Sequence, residues 1–424
     1  MEPKAYIKQK TILENSLFPT PEFAQNLFIE NLKTKGLLLV APHLKVFIKD
    51  QASLIRPYFK NMTVLISRPY FSSFALRLPY IKKQFSYLEM AEKTCNETAK
   101  NYEVISSKFF TLPINEMQKR NCYLASQNCI KVLSKNAINF DIVHAHFLGN
   151  GFIGAKLKSF FGKPLVVTAH GGDVYDLPFR NNWYNVIARY VLNEADQVIT
   201  VSQFNAEKLL SLGVSTSKLH VIPNGYSEKL FNPIPMLEAR EKLSLPFNKK
   251  ILLAVGNLVE VKGHSYLIDA MNYLLRKRND VILIIVGSGY LKEALQKKVS
   301  NSNLKEKILF VGGKKHEEVP IWMNACDIVV LPSLSEGFPT VIPEALACGK
   351  PVIGTKVGGV PEVLSNQDVG ILVNPRDPRA LADAILGALE KKWTPEIIIN
   401  YAKQYSYNNL VKQILTIYQA LLNI

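Results

Sequence analysis

The chain is short of cysteine, of acid and of long apolar runs. Its 424 residues include five cysteines, Cys95, Cys122, Cys129, Cys326 and Cys348, scattered and odd in number. They show no C-x-x-C spacing, which argues against a disulfide framework and a zinc site and favours a reduced, cytoplasmic compartment. No apolar run approaches the ~20 residues needed to span a bilayer. The first residues, Met1-Glu2-Pro3-Lys4-Ala5-Tyr6, lack the apolar core of a secretory signal, so no leader is expected. No low-complexity tract and no short-period repeat is visible.

What is present is an ordinary enzyme-like composition, 48% apolar and 20% charged, on a chain long enough for two cores. The shortage of acid is local. Residues 1–135 hold 20 Lys and Arg against 10 Asp and Glu, more than half of the net charge of +16. Lys45, Lys49, Arg56, Lys60, Arg77, Lys82 and Lys83 are interleaved there with Phe47, Tyr58, Phe59, Tyr70, Phe71, Phe74 and Tyr80. Three readings stand: a solvated basic face, an anionic membrane surface or lipid-phosphate acceptor, and nucleic acid. The last is set aside, because no nucleic-acid-binding motif accompanies the charge.

The C-terminal half alternates short apolar runs (251–255, 281–286, 308–311, 328–331, 351–354 and 371–373) with helical patterns over 265–278, 290–299 and 380–389. Glycines close several runs, at Gly256, Gly287, Gly312 and Gly354. That rhythm predicts a doubly wound parallel sheet. The first half repeats it at 36–40, 63–66, 142–145, 165–168, 197–201 and 219–222, while 68–112 yields no firm assignment. A turn-rich connector, Pro223-Asn224-Gly225-Tyr226 followed by Pro233 and Pro235, suggests two domains, 1–228 and 229–404. An apolar-striped helix over 410–422 is expected to pack back on the first.

The sharpest local feature is Pro332-Ser333-Leu334-Ser335-Glu336-Gly337-Phe338-Pro339-Thr340-Val341-Ile342-Pro343-Glu344. Glu336 lies on the loop leaving an apolar run. Glu344 lies at the start of a helix, with Thr340 at its cap position and Pro343 tolerable in its first turn. In an open α/β sheet, ligands bind in the crevice at the carboxyl ends of the strands. There, carboxylates accept sugar hydroxyls and a helix start holds phosphate. A nucleotide sugar fits both.

With Phe140-Asp141-Ile142-Val143-His144-Ala145-His146, Thr168-Ala169-His170-Gly171-Gly172-Asp173, Val221-Ile222-Pro223-Asn224-Gly225 and Val255-Gly256-Asn257 through Lys262-Gly263, this segment resembles the retaining glycosyltransferases of family four. The matches run in the family's order over roughly 140–375. The resemblance implies the GT-B architecture: two Rossmann-like doubly wound domains facing each other across a cleft. It also implies a hexosyltransferase that needs no cofactor or metal, since the nucleotide sugar is substrate. Glu336 would contact the donor sugar, Glu344 the ribose, Lys262 the diphosphate, and His170 would assist transfer near the sugar. Gly287, Gly313, Gly337, Phe338 and Thr340 would bring backbone close to the donor.

One departure bears on the phosphate clamp. Asn257 stands where the family commonly has an arginine, so leaving-group charge would rest on Lys262 and helix N-termini. The candidate first strand also leads into Ala41-Pro42-His43-Leu44-Lys45 without the family's glycine-rich loop. Asp173 is expected to orient His170 or meet the acceptor. His144 and His146, on one face of a strand, are given structural or acceptor-side roles rather than a metal. The acceptor would be a carbohydrate or a lipid-linked molecule, met at the inner face of the cell membrane if the basic region is peripheral. Two alternatives are a non-catalytic nucleotide-sugar-binding subunit and a GT-B epimerase.

Overall fold

The computed structural model describes residues 31–42, 46–70, 102–110 and 118–424. Two parallel sheets organise them. The first contains β1 (Gly36–Ala41), β2 (Asn61–Tyr70), β3 (Glu103–Phe110), β4 (Ile142–His146), β5 (Leu165–Ala169), β6 (Gln197–Thr200) and β7 (Leu219–Val221), in spatial order 3-2-1-4-5-6-7. The second contains β8 (Lys250–Val255), β9 (Val281–Val286), β10 (Ile308–Gly312), β11 (Ile328–Leu331), β12 (Val352–Thr355) and β13 (Gly370–Val373), in order 10-9-8-11-12-13. In each sheet the order reverses once, between β1 and β4 and between β8 and β11. These are the switch points at which a doubly wound sheet opens a crevice.

The strands are nearly continuous apolar runs because both sheet faces are covered. Along β1, Leu37 and Leu39 enter one core while Leu38 and Val40 enter the other. Along β9, Ile282 and Ile284 alternate in the same way with Leu283 and Ile285. The helices used below are α1 (Val46–Ile55), α2 (Leu148–Phe161), α3 (Gln203–Ser211), α4 (His264–Leu274), α5 (Val341–Ala347), α6 (Pro378–Glu390) and α7 (Tyr407–Leu422). The apolar stripe of α7, from Leu410 to Tyr418, lies in the core shared with α1 and the first sheet. Tyr418 donates to or accepts from His144 Nδ1 at 2.5 Å, and its ring meets Phe59 edge-on at 5.7 Å.

One open stretch gains an assignment, and two sequence expectations need correction. The stretch 68–112 contains a strand, β3, which runs alongside β2 from Glu103 to Phe110. As an edge strand it carries Glu103, Ser106, Ser107 and Lys108, which dilute the apolar signal. Phe59, counted with the basic-aromatic surface, is 3% exposed and belongs to the core. Thr340 stands at the cap position of α5, but its backbone is already helical and its side chain makes no capping bond. His43, Lys45, Phe71, Phe74, Arg77, Tyr80, Lys82 and Lys83 lie outside the described residues. Among the described residues no helix is long and apolar enough to cross a membrane.

Candidate active site

Lys262 ends a short turn after β8, and Glu336 lies on the loop after β11, so the two flank the second switch point. Their loops are locked together. Leu334 N–H donates to the Val261 carbonyl at 2.7 Å. Gly263, at φ +64°, lets the first loop lie against the second; a Cβ there would stand 2.0 Å from the Pro332 carbonyl oxygen. Lys262 Nζ then reaches Glu336 Oε1 at 2.6 Å, and Ser333 Oγ donates to the same oxygen at 2.7 Å. The side chain of Glu336 is 9% exposed and that of Lys262 26%, so the cation is the partner open to the cleft.

A third loop supports this one from behind. Gly358, at φ +49°, passes so close to Glu336 that a Cβ would meet its carbonyl oxygen at 1.7 Å. This gives Gly358-Gly359 a packing role that the sequence did not disclose. In the short helix Val360–Val363 that follows, the Glu362 carboxylate accepts the backbone N–H groups of Gln203 and Phe204 at 2.8 and 2.9 Å. Glu362 therefore caps α3, a helix of the other domain.

The opposite lip begins at His170, which follows β5. Its Nε2 lies 3.0 Å from His146 Nδ1, and the two rings stack at 5.3 Å between centroids. Burial lowers the pKa of His146 from 6.5 to about 3, so it is neutral near pH 7. His144 continues the row, stacked on His146 at 4.5 Å and bonded to Thr168 Oγ1 at 2.7 Å as well as to Tyr418. It is a structural histidine of the core. Asp173 holds His170 through the backbone. Its carboxylate accepts the backbone N–H groups of His170, Gly171 and Leu148 at 3.2, 2.8 and 3.0 Å, fixing the loop and the start of α2. Burial raises its pKa, against those bonds.

The two lips touch. A Cβ on Gly337 would stand 2.7 Å from the His170 carbonyl oxygen and 2.9 Å from Gly171 Cα. The close approach that Gly337 permits is therefore to the opposite domain of the protein. Tyr175 reaches the same place from the first domain, beside Ser335 and within the fields of Glu336 and Lys262. Asn205, fully buried on α3, lies beside Gly337, and neither atom of its amide finds a partner among the described residues. Tyr175, Asn205 and Glu362 were missed, because only the tertiary fold brings them to the cleft.

Glu344 occupies the fourth position of α5 and is 7% exposed. Its Oε1 lies 3.0 Å from His316 Nε2. Burial raises the Glu344 pKa, and the bond and charge of His316 oppose that rise. Phe338 points inward, its ring 6.0 Å from that of Tyr405, which leaves only its backbone toward the cleft. Gly287 is required by packing, since a Cβ would meet the Gly256 carbonyl oxygen at 1.9 Å. Gly313 is exposed beside Ser288. Asn257 is exposed, and its carbonyl oxygen lies 3.3 Å from His264 Nε2.

Residues 236–405 match the model of glycosyl transferases group 1, and residues 91–229 match that of glycosyltransferase family 4. An uncharacterized glycosyltransferase of Methanocaldococcus jannaschii is 30% identical over 297 residues, covering 66% of this chain and 75% of that protein. The chain belongs to this glycosyltransferase family. A putative teichuronic acid biosynthesis glycosyltransferase of Bacillus subtilis is 28% identical over 356 residues, covering 83% of this chain and 87% of that protein. Among solved structures, the Anabaena protein HepE in complex with UDP superposes with a TM-score of 0.70 at 23% identity, over 91% of this chain and 100% of that one. The architecture is the family's GT-B fold, two Rossmann-like domains across a cleft.

Proposed function

We propose that this glycosyltransferase moves a hexosyl group from a nucleotide-diphosphate sugar to a carbohydrate or lipid-linked acceptor, with retention of anomeric configuration. The observation that carries the reading is the Lys262–Glu336 pair at the second switch point, touched through Gly337 by the His170 loop of the first domain. On this reading the pair is a resting state. An arriving diphosphate draws Lys262 away, and the freed carboxylate accepts two hydroxyls of the donor sugar in charge-assisted bonds. The N–H groups of Phe338 and Thr340 at the start of α5 face the phosphates, and Glu344 takes the ribose diol. Asn257 offers one neutral hydrogen bond, so Lys262 supplies the side-chain charge for the departing diphosphate.

His170 orients the sugar, and neutral His146 behind it fixes the ring without bringing a second charge. The acceptor hydroxyl attacks on the face from which the diphosphate leaves. A phosphate oxygen takes its proton, and no bond forms to the protein. No metal ligand set enters the scheme; Lys262 and the loop amides neutralise the leaving group instead. The basic first domain supports a further reading, peripheral docking on an anionic membrane where a lipid-linked acceptor is met.

The test is a panel of UDP-, GDP-, ADP- and dTDP-sugars, with thermal shift to find the donor and product analysis to follow transfer. Lys262→Ala and Glu336→Gln should each lower kcat/KM at least 100-fold, a loss of about 3 kcal/mol in transition-state binding, with the fold retained. Full activity in both would refute the assignment. Asn257 favours a second reading, a subunit that binds a nucleotide sugar without transferring it. Binding with no turnover, even slow hydrolysis, would select that one.

A further inference from the structure

His316 follows β10 and belongs to no assignment made above. Its Nε2 lies 3.0 Å from Glu344 Oε1, and its ring is tilted against Phe231 with centroids 5.0 Å apart. Charged and titratable groups face it from several elements: Glu344 from α5, Asp50 from α1 of the other domain, and Glu317 beside it. Tyr407, at the start of α7, lies within the fields of both Asp50 and Glu344, and Lys49 acts on Asp50. A carboxylate in such a buried place is costly to keep ionised. Only when ionised, however, can it accept both hydroxyls of a vicinal diol.

We propose that His316 is a positioning residue for the nucleotide: it holds Glu344 in the orientation and charge state that the ribose diol requires. By taking Oε1 from one side, the imidazole fixes the carboxylate plane and leaves Oε2 and the remaining lone pair of Oε1 to the ligand. As imidazolium it also supplies the counter-charge. Burial lowers the His316 pKa, but Glu344, Asp50 and Glu317 together outweigh that and raise it above 6.5. The Glu344 pKa is raised above 4.5 by burial, with His316 opposing the rise. Where Glu344 is ionised and His316 protonated, the pair is charged on both sides. Affinity should fall below that window as Glu344 protonates, and above it as His316 loses its proton.

The inference rests on the reading of Glu344 as the ribose ligand, and the experiment separates the two. Calorimetric titration with UDP-glucose (or the tightest binder among UDP-, GDP- and ADP-glucose) across pH 5–9 avoids a titrating terminal phosphate. The 2′-deoxynucleoside counterpart reports on the diol. Wild type should prefer the ribonucleotide about tenfold, and Glu344→Ala should abolish that preference. His316→Ala should weaken ribonucleotide binding about ten- to thirtyfold at pH 7. His316→Gln, which keeps a neutral donor, should recover part of the loss and remove the decline at alkaline pH. Unchanged thermal midpoints keep these effects apart from misfolding. If Glu344→Ala leaves the preference intact, or no probe binds, the ribose reading fails. If Glu344→Ala abolishes it while both His316 variants keep the wild-type affinity and pH profile, the positioning role is overturned.

Discussion

Histidine burial sets the acid limit of this molecule. His146, and His264 at the start of α4, have pKa values lowered from 6.5 to about 3 and about 4, and His144 lies well below its ordinary value, all chiefly through burial. In the unfolded chain these rings take up protons near pH 6.5, while in the folded state they do not. The stability they contribute is complete above pH 6.5 and declines as pH falls toward the folded values, by up to about 1.4 kcal/mol per pH unit for each ring. Differential scanning calorimetry should therefore show the thermal midpoint dropping steeply between pH 6.5 and 4.5, with a shallower slope in His146→Gln. An unchanged slope in that variant would remove His146 from the account. The individual motif residues were legible because each follows an apolar run closed by a turn. Their partners were not: His146 reaches His170 across 24 residues of chain, and Lys262 reaches Glu336 across 74. Nothing in local spacing fixes which loops become neighbours.

At the scale of elements, the loop after β12 joins the domains. Glu362 gives both carboxylate oxygens to the first turn of α3, a cap supplied by the other domain. Its loss removes a cap worth about 1 kcal/mol. Glu362→Ala should accordingly open the cleft, seen as a larger radius of gyration in small-angle scattering, and raise the donor KM several-fold with kcat less affected. Identical scattering and KM would show that closure does not depend on this contact. The helices and strands of the second domain were legible from periodicity because both sheet faces are buried. β3 was not, since an edge position tolerates the polar residues that hide a strand, and Phe59 was misassigned to the surface because its neighbours in sequence are basic.

Across the whole molecule, the last helix completes the first core. The ring and hydroxyl of Tyr418 are buried against Phe59 and His144, more than 270 residues earlier in the chain. Truncation before α7 should expose that core and leave the first domain unable to fold cooperatively. The milder Tyr418→Phe, which strands His144 Nδ1 without a partner, should cost about 1–3 kcal/mol in urea denaturation. Stability within a few tenths of wild type would contradict this. The basic surface makes its own prediction: in liposome flotation, the protein should float with vesicles rich in anionic lipid and be released as salt rises, whereas flotation indifferent to lipid charge would end the membrane reading.

That return of the chain has a mechanical side. The polypeptide crosses between domains twice, and the crossings are joined: Tyr226 N–H donates to the Tyr405 carbonyl, and Tyr407 N–H to the Tyr226 carbonyl, at 3.1 and 3.0 Å. Gly225 lies flush against Tyr405, where a Cβ would be 2.8 Å from its carbonyl oxygen. A pair of crossings knitted side by side acts as the spine of a book. Such a seam favours a swing of the covers over a slide. Any opening of the cleft would then turn about one seam, and the His170 loop would return to Gly337 in the same register.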